Sequence, residues 1–511
     1  MESEWSASRQ LIRPLRAGLV WTLFFFLQAL YVATSTGRLH VTDEASAFFQ
    51  ARDLVETGSL TVPSSTSGFA FYGERDRQGR LRAPNGPLHA VALVPYYLLG
   101  KLMVFAPGVP ETSRDLVITF AVVLSSTTCA ALAAALFLTL LLRLGTPPAA
   151  AVAVALAFAV GTPLFGYSAW LFSEPLTTML LIGSALCMFG NTQPVTTRQA
   201  LLAGVLLGAC VLVRPGHALA APVFVASLLV RDRRRGLPSA FALAAAAAVG
   251  VTIALAWNTH LFGNPFDFGY PEIADGGKRI NGFETPLLVG LAGFLVSPGK
   301  SIFVYAPLAL VAIPAVRRLA RIDRGVALLA VAMPVSYLLL YGRYTQWEGG
   351  YCVGPRYLLP TLPFLLLALG PDLADSRPVA WARFLALTAA GVVAQSVSLA
   401  TSFLEDQYTS GYYDQAFNYR MAYVPLYSQS ALFVHYLVSL VRGQPSPPLG
   451  TGFDRWFLFL HKAGVSWWPI AGLLVTAIVV AGYAALHLVR LTRLVGSEQS
   501  APHVAGSSPT T

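Results

Sequence analysis

Charged residues are scarce in this chain, at 12% of 511 residues, where a soluble domain carries roughly a quarter. With 55% hydrophobic residues, that shortage excludes an ordinary soluble fold, because a core of this length could not keep so much apolar surface from water. Cysteine is equally sparse: Cys129, Cys187, Cys210 and Cys352. The first three lie inside apolar runs, where Cys behaves as a small hydrophobe. Cys352 falls in a predicted external loop with no obvious partner, so a disulfide framework or thiolate metal site is not indicated. No GxGxxG fingerprint, HExxH pair, zinc-finger spacing or basic heptad occurs. Gly299-Lys300-Ser301 fails as a P-loop, since five residues separate Gly293 from Gly299 where that motif has four and follows a strand. Asp267, Glu272 and Asp275 share a predicted external loop without the spacing of a recognised metal loop, and no metal is assigned.

What the chain does have is apolar stretches of about 20 residues, each able to cross a hydrocarbon layer of roughly 30 Å. They predict an all-α polytopic membrane protein of about twelve transmembrane helices. The first run, 17–34, follows Arg9, Arg13 and Arg16 like a signal peptide, but it is too long and lacks a good cleavage site. It reads as a retained anchor. The net charge of +10 comes from arginines between apolar runs, where the positive-inside rule puts them, so nucleic acid is not the expected partner.

Those arginines orient the chain with both termini in the cytoplasm. Spans are expected at 116–142, 147–166, 172–190, 199–231, 238–258, 299–316, 325–342, 356–371, 379–403 and 467–490. The stretch 199–231 is read as two helices broken at Val213-Arg214-Pro215-Gly216, because Pro removes a backbone donor. Each half, at about 15 residues, covers only roughly 22 Å. Residues 1–490 are read as one transmembrane domain. Long external segments are expected at 35–114 and 404–466, and a small, polar, disordered cytoplasmic tail at 491–511. Function is expected on the outer face.

Chemistry-bearing residues gather in a few places. Thr42-Asp43-Glu44 opens a stretch whose Ala45, Phe48, Phe49 and Val55 recur at helical spacing and which Gly58 can stop, an amphipathic helix on the membrane surface. The plain structural reading makes Thr42 a cap, with acids suiting the helix dipole. Arg82-Ala83-Pro84-Asn85-Gly86-Pro87-Leu88 leads into a second apolar stretch ending near Val104. Ser173-Glu174-Pro175-Leu176 opens another helix. Arg214, at a break within membrane depth, needs an anionic partner, either a phosphate or an acid such as Glu174. Lys300 is read as a phosphate contact or a snorkelling lysine. Arg356 begins a helix on the outer side. Trp347 and Tyr351 either stack on a sugar or sit in an interfacial belt. His89 is either a substrate ligand or a neutral structural residue. The stretch 405–427, rich in Tyr, Asp and Gln, is either an acceptor-facing surface or a solvated loop.

The Asp-Glu pair just after the first span, the Arg82–Leu88 segment, Gly161-Thr162-Pro163 before Glu174, and Leu212–Gly216 occur in an order that resembles the GT-C-type glycosyltransferases. These include the protein O-mannosyltransferases and the bacterial aminoarabinose transferases acting on lipid A. The resemblance covers roughly the first 240 residues, with Glu174 where Asp is commoner and Arg214 where Lys is commoner. It implies a GT-C-like fold with juxtamembrane surface helices, the second at about 88–104. It also implies transfer of a sugar from a polyprenyl-phosphate donor to a lipid, glycan or protein acceptor on the outer face of a bacterial inner membrane.

In that reading Asp43 is the catalytic base, and Glu44 or Glu174 orients the acceptor or a divalent cation. Arg82, Arg214, Lys300 and Arg356 are the phosphate candidates. Besides donor and acceptor the partners are membrane lipids, with no cofactor required. A transporter or flippase of a lipid-linked glycan is the alternative. It is less favoured because transporters place charges near the midplane, often in paired repeats.

Overall fold

The computed structural model describes residues 2–66, 69–70, 73–84, 86–190, 193–270, 282–374, 377–402, 430–431, 434, 437–439, 441–442 and 453–500. Helix α1 (Glu2–Thr34) takes in the basic approach as well as the apolar run. It is followed by α2 (Thr42–Thr57) and α3 (Pro87–Met103), joined by two short antiparallel hairpins. Both surface helices lie where the sequence puts them. Gly58 ends α2 with φ 74°, a conformation only glycine adopts without strain. The residue flanking α2 on its N-terminal side is Val41, not Thr42 as expected, and Glu44 reaches back to it. Gly100 lets α3 lie flat on the next helix, since a Cβ there would sit 2.7 Å from the Ile118 Cα.

The bundle continues with α4 (Arg114–Arg143), α5 (Pro148–Val160), the single-turn α6 (Pro163–Ser168), α7 (Glu174–Met188), α8 (Thr197–Val213), α9 (Ala220–Asp232) and α10 (Leu237–Phe262). Helices α8 and α10 approach closely because Gly204 and Gly208 face Ala246, Ala247 and Gly250, the small-residue spacing that lets membrane helices pack backbone to backbone. Between α8 and α9 the break opens at Arg214, followed by a 3₁₀ turn over Pro215–Leu219.

Downstream come α11 (Leu287–Val296), α12 (Ile302–Tyr305), α13 (Ala309–Ile322), α14 (Arg324–Arg343), α15 (Leu362–Leu366), α16 (Leu369–Ala374), α17 (Pro378–Ala400), α18 (Trp456–Lys462) and α19 (Trp467–Ser500).

Several expectations shift here. The span expected at 299–316 is preceded by a short apolar helix, α11, that was not foreseen. It packs where Gly290 meets the Gly342 backbone. The span expected at 356–371 is a 3₁₀ turn over Arg356–Thr361 followed by two short helices. Pro360, Pro363 and Pro371 remove backbone donors at intervals that no long helix tolerates. The last helix continues to Ser500 rather than ending near 490, while 501–511 and the stretch 405–427 lie outside the described residues.

Among the described residues, six helical stretches are long and apolar enough to cross a membrane, including Glu111–Arg143, Arg324–Arg343 and Trp467–Gly496. The chain is an all-α, multi-pass membrane protein. One set of arginines, at the ends of α4, α9 and α13, marks one end of the bundle. Arg143 Nη1 donates to the Leu186 carbonyl, Arg231 Nη1 donates to the Met188 carbonyl at 2.6 Å, and Arg318 pairs with Asp372 at 2.7 Å. From that end α5, α8, α10, α14 and α17 run away, and α4, α7, α9, α13 and α16 return. The start of α2, the first turn of α7 and the break between α8 and α9 therefore share the opposite end.

Candidate active site

Four charged residues from four distant parts of the chain converge there. Arg356, buried, donates from Nε to Glu174 Oε1 at 2.6 Å and from Nη2 to Asp43 Oδ2 at 2.8 Å. Its Nη1 reaches the Gly349 carbonyl at 3.3 Å, and its guanidinium lies 4.3 Å from the centre of the Phe172 ring. Arg214 Nη1 donates to the same Glu174 oxygen at 3.3 Å. Two guanidiniums thus share one buried carboxylate, and one of them also holds a second, better exposed one: the Asp43 side chain is 23% exposed. Glu174 Oε2 is buried with no hydrogen-bond partner among the described residues.

Local chemistry explains each position. Asp43 and Glu174 stand in the first turns of α2 and α7, where free amides and the helix dipole favour negative charge. Arg214 caps α8 in an extended conformation, where Pro215 prevents the helix from continuing. Arg356 follows Pro355 at the start of the 3₁₀ turn. The Pro-rich lead into α3 is pinned to the break, with Gly86 N donating to the Val213 carbonyl at 3.2 Å.

His89, one turn into α3, is buried within electrostatic reach of Glu174, Arg214, Arg356 and Asp43. Burial is the largest influence and drives its pKa down to about 4, so the imidazole is neutral at physiological pH.

The other sequence candidates lie elsewhere. Glu44 is fully buried and its oxygens accept from the backbone amides of His40 (2.5 Å), Val41 (3.3 Å) and Leu171 (2.9 Å). It ties the lead into α2 to the lead into α7. Arg82 is buried against Asp76, with Nε and Nη2 both 2.9 Å from Oδ2, and so closes its own hairpin. Lys300 is buried and donates to the Cys352 carbonyl at 2.8 Å, which corrects the picture of a snorkelling lysine. Trp347 is 1% exposed and meets Phe294 edge-on at 5.6 Å. It is a core residue, neither a belt residue nor an open stacking surface. Tyr351 packs half-buried against that core. Asp267 is described, while Glu272 and Asp275 lie outside the described residues. Among the described residues, no group of three or more His, Cys, Asp or Glu is placed to hold a metal.

Sequence reasoning missed an aromatic wall. Tyr341 and Tyr357 stack at 4.2 Å with planes 6° apart, Tyr344 meets Tyr357 edge-on at 5.9 Å, and Arg214 lies 5.7 Å from the Tyr357 ring centre. The spacing of 341 and 344, one helical turn, was the only available signal. Beside the break lies an open recess of ≈ 550 Å³ including its mouth, lined by Gln50, Pro84, Leu212, Pro215 and Trp257 among others. Its lining takes in Leu212 and Pro215 of the break and Arg82, but none of the four clustered charges.

No family model matches the chain, and no curated protein matches it either. Among solved structures the chain is similar to ArnT from Cupriavidus metallidurans. For that protein bound to undecaprenyl phosphate, identity is 15%, the match covers 98% of this chain and 78% of that chain, and the TM-score is 0.48. For the apo state the figures are 16%, 96%, 78% and 0.48. At that level of likeness no residue role passes from one chain to the other.

Proposed function

We propose that this protein is a membrane glycosyltransferase that moves a sugar from a polyprenyl-phosphate donor to a hydroxyl- or amine-bearing acceptor on the extracytoplasmic face. The observation that carries the reading is the half-accessible carboxylate of Asp43 held against Arg356, with Arg214 beside it, at the end of the bundle opposite the arginine collar. A transfer of this kind needs a base for the acceptor proton and cations for the departing phosphate, and this cluster supplies both. Under the positive-inside rule, the end away from the arginines is the outer one. The donor class comes from the residue resemblance.

In the proposed step, the acceptor oxygen or nitrogen attacks the anomeric carbon while Asp43 takes its proton. The bond from that carbon to the phosphate oxygen breaks, and the electron pair leaves with the polyprenyl phosphate. Arg214, the more exposed of the two guanidiniums, contacts the departing phosphate, and Arg356 adds its positive charge from behind Asp43. Direct displacement inverts the anomeric centre. Glu174 keeps the two guanidiniums together, and the buried, mutually stacked Tyr341 and Tyr357 back Arg214. Convergence of the charges at one end of the bundle favours this reading over a flippase, whose charges belong near the midplane.

The test is reconstitution with a panel of polyprenyl-phosphate sugars. Sugar transfer by the wild type, and a loss of roughly 10²–10⁴ in kcat in Asp43→Asn, is the expected result. Full turnover by Asp43→Asn would remove that residue from the mechanism, and no turnover of any donor by the wild type would remove the function.

A further inference from the structure

Outside the site the chain has a second buried charged cluster, and it closes on residues 414 positions apart. His40 Nε2 and Asp454 Oδ2 are 2.6 Å apart, and Arg38 Nε donates to Asp454 Oδ1 at 2.6 Å. On its other side the imidazole Nδ1 stands 3.4 Å from Glu44 Oε2. All three side chains of this row are buried: His40 at 1%, Asp454 at 2% and Glu44 at 0% exposure. Glu44 in turn holds the amides of His40, Val41 and Leu171. It is therefore fixed both to the lead into α2, at His40 and Val41, and to the lead into α7, at Leu171. The chain beside Asp454 is equally tied down, with Trp456 N donating to the Ser35 carbonyl and Trp456 Nε1 to the Val32 carbonyl at 2.8 Å.

We propose that His40 and Asp454 are positioning residues for Asp43, holding Glu44 so that the first turn of α2 presents its aspartate to Arg356. The inference rests on the transferase reading for its kinetic consequences and on the geometry alone for its structural ones. Neither residue touches the reacting groups. They act through Glu44, and they make the carboxylate's position depend on where Asp454 and the start of α18 lie.

The charged groups facing the imidazole are Asp454 and Glu44, with Arg38 and Arg455 acting on it through Asp454. Burial alone would lower the His40 pKa. The charge and hydrogen bond of Asp454, with those of Glu44, outweigh it and raise the pKa to about 9. A histidine whose pKa is raised on folding contributes stability that is complete below its ordinary value near 6.5 and lost as pH rises through the folded value. The imidazole is thus charged at neutral pH and loses its ion pairing with Asp454 and Glu44 as pH rises through about 9.

The full-length protein in lipid nanodiscs can be tested by hydrogen–deuterium exchange and by turnover. Asp454→Asn should speed exchange of the amides at 41–47 and 171 and lower kcat about tenfold at unchanged donor KM. It should also shift the alkaline limb of the kcat profile down by about one to two pH units. Asp454→Glu, which keeps the charge, should retain the limb. Wild-type exchange together with an unmoved limb in Asp454→Asn overturns the proposal. If that variant does not fold, His40→Gln replaces it and should abolish the limb near pH 9, and a limb that persists there also overturns it. If the wild type transfers no sugar, the functional reading fails separately. Exchange then decides alone: faster opening of 41–47 in the variant, corrected for intrinsic rates, supports the row, and equal rates refute it.

Discussion

Replacing Glu174 by Gln keeps its shape and one acceptor oxygen but removes the only carboxylate paired with Arg214 among the described residues. Breaking a buried pair by deleting one partner costs about 3–5 kcal/mol, because a charge is left without compensation. Here two guanidiniums are affected unequally. Arg356 keeps Asp43 at 2.8 Å, whereas Arg214 keeps only its ring contact with Tyr357. The Arg214 side chain is 15% exposed, so some solvent relief is open to it and the lower end, about 3 kcal/mol, is expected. At about 2–4 °C per kcal/mol for a large domain, the melting point in detergent should fall by roughly 6–12 °C, read from tryptophan fluorescence. The double variant Glu174→Gln with Arg214→Gln should recover at least half of that loss, since the stranded charge is gone with its partner. A single variant that melts like the wild type, or a double variant whose loss is the sum of the two singles, would refute the idea that Glu174 is the keystone of the cluster.

Other outcomes can be checked in the same preparation. Asp43→Asn should lower the melting point less than Glu174→Gln does, because Asp43 is better exposed and Arg356 retains Glu174. Gly37→Ala should cost about 1–3 kcal/mol, as Gly37 has φ 66° and a Cβ would run into Trp456 and come within 2.8 Å of the Phe120 ring. Trp347→Ala should cost about 3–5 kcal/mol through the cavity it opens, while the donor KM of the surviving folded fraction stays at the wild-type value. A rise in KM would return Trp347 to the sugar-stacking role that its burial argues against.

Several parts of this architecture follow from local pattern. The apolar runs mark a multi-pass helical membrane protein, because lipid penalises every unsatisfied backbone group and charge regardless of what the neighbouring helices do. The starts of α2 and α3, the Gly58 stop and the Arg214 break are legible for the same reason: caps, glycines and prolines act over a single turn. Asp43, Glu174, Arg214 and Arg356 could be named as candidates because each is a charge beside an apolar run.

Of the pairings, only that of Arg214 with Glu174 was legible. That Glu44 holds backbone while its neighbour Asp43 faces the guanidiniums depends on a 100° difference in direction around one helical turn, and on the lead into α7 arriving beside it. Trp347 looked like an interfacial residue until Gly293 and Phe294 were seen to enclose it. The proline-broken segment after Arg356 carries enough apolar residues for a span, but its prolines break the run of backbone hydrogen bonds that one helix would need. His40 and Asp454 carried no signal at all.

By itself the sequence determined a lipid-embedded helical chain and a short set of charged candidates, since these depend on hydrophobicity and on interactions within a few residues. Only the tertiary structure decided that Arg356 joins Asp43 to Glu174, because those contacts join residues separated by more than a hundred positions and are selected by packing, not by any local rule.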